Sequence, residues 1–130
     1  MSEEFKIEIV NPEKSFLVKE DVSEVVVPAF EGEMGILKDH IPLITFLRPG
    51  IILIKDNEEK KYFVEEGVVE FSNNNLLILT STAKSIDNLK NSFIDEAIKK
   101  SVEVINKEGI SDKDRYLLSY KIEVLKSLRK

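Results

Sequence analysis

Few residues in this chain could do chemistry. The candidates are one histidine, His40, and paired acids such as Glu58-Glu59 and Glu65-Glu66, with Ser and Thr scattered between. Histidine can serve as a base or a metal ligand near neutral pH. A metal site needs further His or Cys ligands, however, and the sequence has no cysteine and no second histidine. A catalytic serine of the hydrolase type needs a Gly-x-Ser-x-Gly elbow, and none is present. There is no Walker lysine motif and no dinucleotide fingerprint, and Gly32-x-x-Gly35 is too short to cradle a phosphate. The acid pairs fall at turns or strand ends, where they read as solvated. His40 fits a structural histidine at a strand corner or a contact residue. No basic patch is interleaved with aromatics, which disfavours nucleic acid. The sequence therefore offers no active site, no metal site and no cofactor, and its function is expected to lie in contacts.

The stretch around His40 explains how such contacts could be built. Glu31 to Gly50, EGEMGILKDHIPLITFLRPG, holds Gly32, Gly35, His40, Pro42 and Pro49 between short apolar runs. Glycine permits sharp turns and close backbone approach, and proline starts strands or keeps them at edges. The stretch reads as a series of corners in an all-β unit. Either side of it the runs are short and β-like: Phe5 to Ile9 alternating, Ser15 to Val18, Val22 to Val27, Ile51 to Ile54, Tyr62 to Val64, Val68 to Phe71 and Leu76 to Leu79. Asp56-Asn57 and Asn73-Asn74-Asn75 supply turns, and Gly67 a bend or bulge. Many short strands at this spacing predict an antiparallel sandwich, or flattened barrel.

From about Asn88 the period changes. Leu89, Phe93, Ile94, Ala97, Ile98, Ser101, Val102 and Ile105 follow helical spacing, and Gly109 supplies a left-handed cap. Ser111 with Asp114 three residues on, flanked by Ile110, predicts a second helix bearing Leu117, Leu118, Ile122, Val124, Leu125 and Leu128. Two helices joined by a short Gly-containing turn make an antiparallel hairpin. Residues 1–84 are expected to form the sandwich and 85–130 the hairpin, with Thr82 to Asp87 as the hinge.

The 130 residues, 42% apolar and 33% charged, suit one compact domain or a small domain with an appendage. No apolar run approaches the ~20 residues that span a bilayer. The start, Met-Ser-Glu-Glu, lacks the basic and apolar regions of a signal peptide, and the absence of cysteine suits a cytoplasmic setting. Charge is uneven: residues 1–84 carry nine Lys/Arg against sixteen Asp/Glu, while 85–130 carry ten against eight. Arg115, Lys121, Lys126, Arg129 and Lys130 face a single acid, Glu123, in the last sixteen residues. These cations form either a solvated helix face or a surface for an acidic partner.

Val27-Pro28, Glu31 to Leu37, His40 to Thr45, Leu47 to Gly50 and Glu66 to Glu70 together resemble the epsilon subunit of bacterial F-type ATP synthase, whose pattern runs G-E-x-G-I-x-x-x-H-x-P-L-x-T-x-L-x-P-G. In the later Gly-Gly-x-x-E-V strand pair, Glu66 replaces the first glycine and Phe71 the valine. The resemblance covers the whole chain, sandwich and hairpin. It implies a non-catalytic rotor subunit that binds the gamma subunit and the ring of c subunits, coupling proton flow to ATP synthesis. It matches Glu31, Gly32 and Glu33 to the loop facing the c ring, and Asn11, His40 and Pro42 to positions against gamma. It also implies a hairpin that either folds on the sandwich or extends towards the alpha and beta subunits and opposes ATP hydrolysis. Arg115, Lys121, Lys126, Arg129 and Lys130 suit that inhibitory contact.

Some members of the family bind ATP through an Ile/Leu-Asp-x-x-Arg-Ala motif as the first helix begins. Here that motif falls on Leu89 to Ile94, without aspartate or arginine, or in a shifted register on Ile86 to Asn91, with Lys90 in place of the arginine. Lysine lacks the rigid fork of arginine, so no tight ATP binding is expected. The resemblance places the protein at the cytoplasmic face of a bacterial inner membrane, held there through its complex. Without the resemblance the residues read as an all-β interaction domain with a helical tail. The alternative from a different class is a free-standing small-ligand-binding sandwich with a helical dimerisation tail, which would self-associate and enclose a pocket.

Overall fold

A computed structural model describes residues 4–130, so the acidic start Met1-Ser2-Glu3 lies outside the described residues. Ten strands precede two helices: β1 (Phe5–Asn11), β2 (Lys14–Val22), β3 (Glu24–Ala29), β4 (Gly32–Ile36), β5 (Leu43–Leu47), β6 (Gly50–Lys55), β7 (Glu59–Val64), β8 (Gly67–Ser72), β9 (Asn75–Leu79), β10 (Lys84–Ser85), α1 (Asn91–Ile105) and α2 (Asp112–Leu128). The strands follow the order β10-β7-β6-β3-β5-β8-β9-β1-β2, with β4 added beside β3. Pairing is antiparallel except between β1 and β9, where Lys6 to Val10 run parallel to Asn75 to Leu79. The expected sandwich followed by a two-helix hairpin is the observed fold.

Alternation decides what is buried. Phe5, Ile7 and Ile9 of β1, Val25 and Val27 of β3, Ile52 and Ile54 of β6, Val69 and Phe71 of β8, and Leu76 and Ile78 of β9 all point into one core. The rolled sheet is closed by side chains where its outer strands meet. Lys19 of β2 pairs with Asp56 in the β6–β7 turn, and the Phe16 ring stands edge-on to Tyr62 of β7 at 5.7 Å.

The turns follow their residue types. Asn73 and Asn74 take φ of 50° and 59° between the paired Ser72 and Asn75, the mirror-image turn that asparagine tolerates best. The Asn74 side chain then clamps the loop before β5: its Oδ1 accepts from the Asp39 N–H at 2.7 Å, and its Nδ2 donates to Asp39 Oδ1 at 3.0 Å. At Gly67, φ is 156° and a Cβ would stand 2.5 Å from the Leu79 carbonyl oxygen, so only glycine fits this bend.

The structure adds to or departs from the sequence reading in four places. The Glu31 to Gly50 stretch contains two strands, β4 and β5, besides its corners, because β3 and β8 supply pairing partners for the residues between the glycines and prolines. Within Thr82 to Asp87, β10 is laid on β7 and the Thr82 hydroxyl accepts the Glu65 N–H at 3.0 Å. Gly109 has the expected positive φ of 81°, but α1 has already ended at Ile105, so the glycine shapes the inter-helix turn. On α1, Phe93 and Val102 follow the helical spacing yet remain exposed. Ser111 caps α2 as expected, accepting from the Asp114 N–H at 3.0 Å.

The closing ion pair carries a pH signature. The hydrogen bond from Lys19, then that from the Glu58 N–H, holds the Asp56 carboxyl below its usual range, and Asp56 in turn raises Lys19. A carboxyl with a lowered folded pKa adds stability that is present above the unfolded value, near ~3.9, and is lost as pH falls through the folded one. Asp56→Asn is therefore expected to melt below wild type at pH 7, the gap closing as pH falls below about 4. Calorimetric melts across that range check this, and a constant gap would count against the pair.

Candidate partner-binding surfaces

Three surfaces concentrate the residues singled out by sequence. The first is the tip of the β3–β4 hairpin. Ala29 pairs with Gly32, which leaves Phe30 and Glu31 as a two-residue turn. Glu31 and Glu33 are exposed. Gly32 takes φ of 152°, with nothing within 4 Å of where a Cβ would stand, so it is the backbone that asks for glycine and the tip stays open to close approach. The turn presents two carboxylates on a short, fixed backbone, a suitable partner for a basic loop.

The second surface is the outer face of the β5-β8-β9-β1 layer. Phe46, Val68, Leu79 and Val10 lie side by side across it, as do Ile44, Glu70, Leu77 and Glu8. Ile44 is 71% exposed and Phe46 64%, with Ile41 beside them at 74%. Contiguous apolar exposure of this kind marks an interaction surface. Asn11 and His40 do not meet. β1 and β5 run in the same direction, with Asn11 at the end of one and His40 to Pro42 before the start of the other, so they bracket the face at opposite ends. His40 is half-buried, edge-on to Phe71 at 5.9 Å, with its Nδ1 2.7 Å from the Ile41 carbonyl oxygen. Pro42 is exposed. At the Asn11 end the face opens into a cleft of about 800 Å³, lined by Val10, Phe30, Phe46, Leu79 and, from α2, Lys113 and Leu117. The cleft opens to solvent, unlike the enclosed pocket that a ligand-binding sandwich would need.

The third surface is the hairpin, which lies folded on the sandwich. Ile94 and Leu125 are fully buried against Phe63 of β7 and Leu89, with Ile51, Ala97, Ile98, Val124 and Leu128 around them. A polar clasp adds to this seam. The Tyr116 hydroxyl donates to the Phe30 carbonyl at 2.7 Å and accepts from Arg48 Nη1 at 3.2 Å. The Arg48 guanidinium sits 3.8 Å above the Tyr120 ring, a favourable cation–π placement. No sequence signal pointed to Arg48, Tyr116 or Tyr120, since residues 68 positions apart share no local pattern.

The five cations singled out in and just after the second helix are spread rather than gathered. Lys121 pairs with Glu65 of the sandwich. Arg129 makes a two-pronged contact with Asp95 of α1, at 2.7 and 3.2 Å, and holds that carboxyl below its usual range. Arg115 donates to the Ile105 carbonyl at 3.2 Å, and the Lys130 N–H donates to Asn91 at 2.9 Å. Lys126 is exposed in the last turn of α2. Among the described residues no group of three His, Cys, Asp or Glu could hold a metal ion, and no helix is long and apolar enough to cross a membrane.

Comparison with known proteins places these surfaces in context. Residues 4–86 match the family described as the beta-sandwich domain of the ATP synthase Delta/Epsilon chain. The ATP synthase epsilon chain of Pelagibacter ubique is 59% identical over 129 residues, covering 98% of this chain and 99% of that protein. That of Sinorhizobium medicae is 32% identical over 130 residues, covering 98% and 95%. A chain of the mitochondrial ATP synthase of Euglena gracilis, solved with OSCP, F1 and the c-ring, shares the fold with a TM-score of 0.81 at 17% identity, covering 98% of this chain and 82% of that one.

The docking seam makes a direct prediction. Truncating a fully buried leucine costs about 2–5 kcal/mol, and Leu125 touches sandwich and hairpin together. Leu125→Ala is expected to release the hairpin while the sandwich stays folded. Hydrogen exchange would show this as lost protection in 112–128 with β5, β8 and β9 unchanged, and retained protection in 112–128 would count against the seam.

Proposed function

Because this chain belongs to the delta/epsilon family of ATP synthase subunits, we infer that it is a non-catalytic central-stalk subunit of a proton-translocating F-type ATP synthase. The observation that carries the reading is full-length kinship to an epsilon chain at 59% identity. Its partners are the gamma subunit and the c ring, and it helps couple ring rotation to ATP synthesis. Two solved relatives by fold come from assemblies described as OSCP/F1/c-ring and central stalk/c-ring.

Residues 1–84 form the docking unit. The apolar face bracketed by Asn11, His40 and Pro42 takes gamma, which removes Ile44 and Phe46 from water. Glu31, Gly32 and Glu33 face the polar loops of the c ring. The protein is peripheral, held at the cytoplasmic face of a bacterial inner membrane through the complex.

Residues 85–130 regulate. In the folded state Lys121 and Arg129 are engaged with Glu65 and Asp95, so these contacts must break before the same cations reach an acidic surface of the alpha and beta subunits. Lys121–Glu65 is half-buried and Arg129–Asp95 exposed, and ion pairs that water and salt can reach add little to stability, so the exchange costs little. Lys90, exposed at the start of α1, stands where the ATP motif has arginine, and the chain binds no ATP tightly.

Two measurements test the reading. Calorimetric titration with the cognate gamma subunit is expected to give a 1:1 complex of submicromolar affinity that residues 1–85 retain. No binding by the folded chain would sink the rotor reading, and low-micromolar binding of ATP in the same instrument would overturn the ATP reading. Replacing Arg115, Lys121, Lys126, Arg129 and Lys130 together with Gln is expected to raise ATP hydrolysis by the assembled complex. Unchanged hydrolysis would remove these cations from inhibition.

A further inference from the structure

The hairpin meets the sandwich at two chemically different places. The Ile94–Leu125 seam lies on β6 and β7, whereas Tyr116 reaches past it to the β3–β4 turn. There its hydroxyl donates to the main-chain carbonyl of Phe30, the first residue of the turn, while its ring packs on that of Phe30 with centroids 5.1 Å apart. Arg48 completes the contact from the sandwich side. Its N–H donates to the Pro28 carbonyl at 2.9 Å, its guanidinium donates to the Tyr116 hydroxyl at 3.2 Å, and it lies over Tyr120, whose ring is in turn edge-on to Tyr116 at 4.9 Å. Phe30 is thus fixed from both sides, and the residue after it is Glu31.

We propose that the Arg48–Tyr116–Tyr120 clasp couples the position of the β3–β4 turn to the folding back of the hairpin, so that a partner gripping the turn shifts the hairpin between docked and released. Three observations support this. The hydrogen bond ends on backbone rather than on a mobile side chain, so moving the turn by an ångström breaks it. A Cβ at Gly32 would meet nothing within 4 Å, so no side chain packs on that side of the tip, and the turn is held by backbone bonds such as that from the Phe30 N–H to the Phe46 carbonyl at 2.8 Å. The clasp is only half-buried, so water can replace it and its energy is modest, as a switch requires. Coupling of this kind is reciprocal: whatever release of the hairpin does to the turn, a grip on the turn does to the hairpin. The consequence for a rotor rests on the ring-facing reading of Glu31 to Glu33. The coupling itself needs no partner.

The test is hydrogen exchange on the full isolated chain, so its failure is distinct from a failure to bind gamma. Tyr116→Phe keeps the ring and removes the hydroxyl. It is expected to speed exchange of the α2 amides about three- to tenfold, the effect of losing one ordinary hydrogen bond, with β8 and β9 unchanged. Unchanged exchange in α2 would overturn the clasp, as would equal acceleration everywhere. Gly32→Ala, which strains the turn without filling space, is expected to speed α2 exchange when Tyr116 is present and to add nothing in the Tyr116→Phe background. Strictly additive effects, or no effect of Gly32→Ala on α2, would overturn the coupling.

Discussion

A rolled sheet has one inside and a great deal of outside, and the period of two along each strand ties them together. In this protein the inward residues of β1, β3, β6, β8 and β9 make one core without a polar breach. The strands are also apolar outward in two places, and an apolar outer face must be covered by something. The chain covers one such face itself, laying the hairpin over Ile51 and Phe63. It leaves the other, around Ile44 and Phe46, bare. A subunit that lives inside a larger machine needs this asymmetry: one face for itself and one for its neighbours.

The hairpin's attachment is correspondingly graded. Its seam is apolar, non-directional and small, with Ile94 and Leu125 as the fully buried anchors. Around the seam are polar contacts to the sandwich with strict geometry but modest energy, namely the Tyr116 hydroxyl and the Lys121–Glu65 pair, while the Arg129–Asp95 fork ties α2 to α1 within the hairpin. A large seam would make the hairpin a permanent part of the sandwich, and polar contacts alone would not hold it in water. The combination holds the hairpin through two apolar anchors and sets its position through a few directed polar contacts.

Much of this was legible in the sequence, for local reasons. Asn73-Asn74 announced a tight turn because asparagine tolerates positive φ, and Ser111 with Asp114 announced a cap. Phe5 to Ile9 announced a strand by alternation. Punctuation was harder to interpret: Gly32 and Gly35 suggested corners, yet both lie within a strand, because pairing with Val26 and Ala29 was invisible until the sheet was assembled. Helical spacing grouped Phe93 and Val102 with Ile94, but only the docking geometry shows which side of the helix turns inward. The bracketing of one face by Asn11 and His40 depends on strand direction, and the Arg48–Tyr116 contact on a separation of 68 residues. Neither leaves a mark in a local window.

The parallel ladder between the first and ninth strands also bears on how the molecule comes into being. Lys6 cannot find Asn75 until the ribosome has made and released everything between them. At roughly 5–20 residues per second, that leaves the first strand unpaired on one edge for several seconds while the rest of the sheet emerges. The hairpin, being last, emerges only after its docking face can have formed. Birth order therefore runs from sandwich to hairpin, and a chain stalled before Leu79 would carry open sheet edges into a crowded cell with nothing to close them.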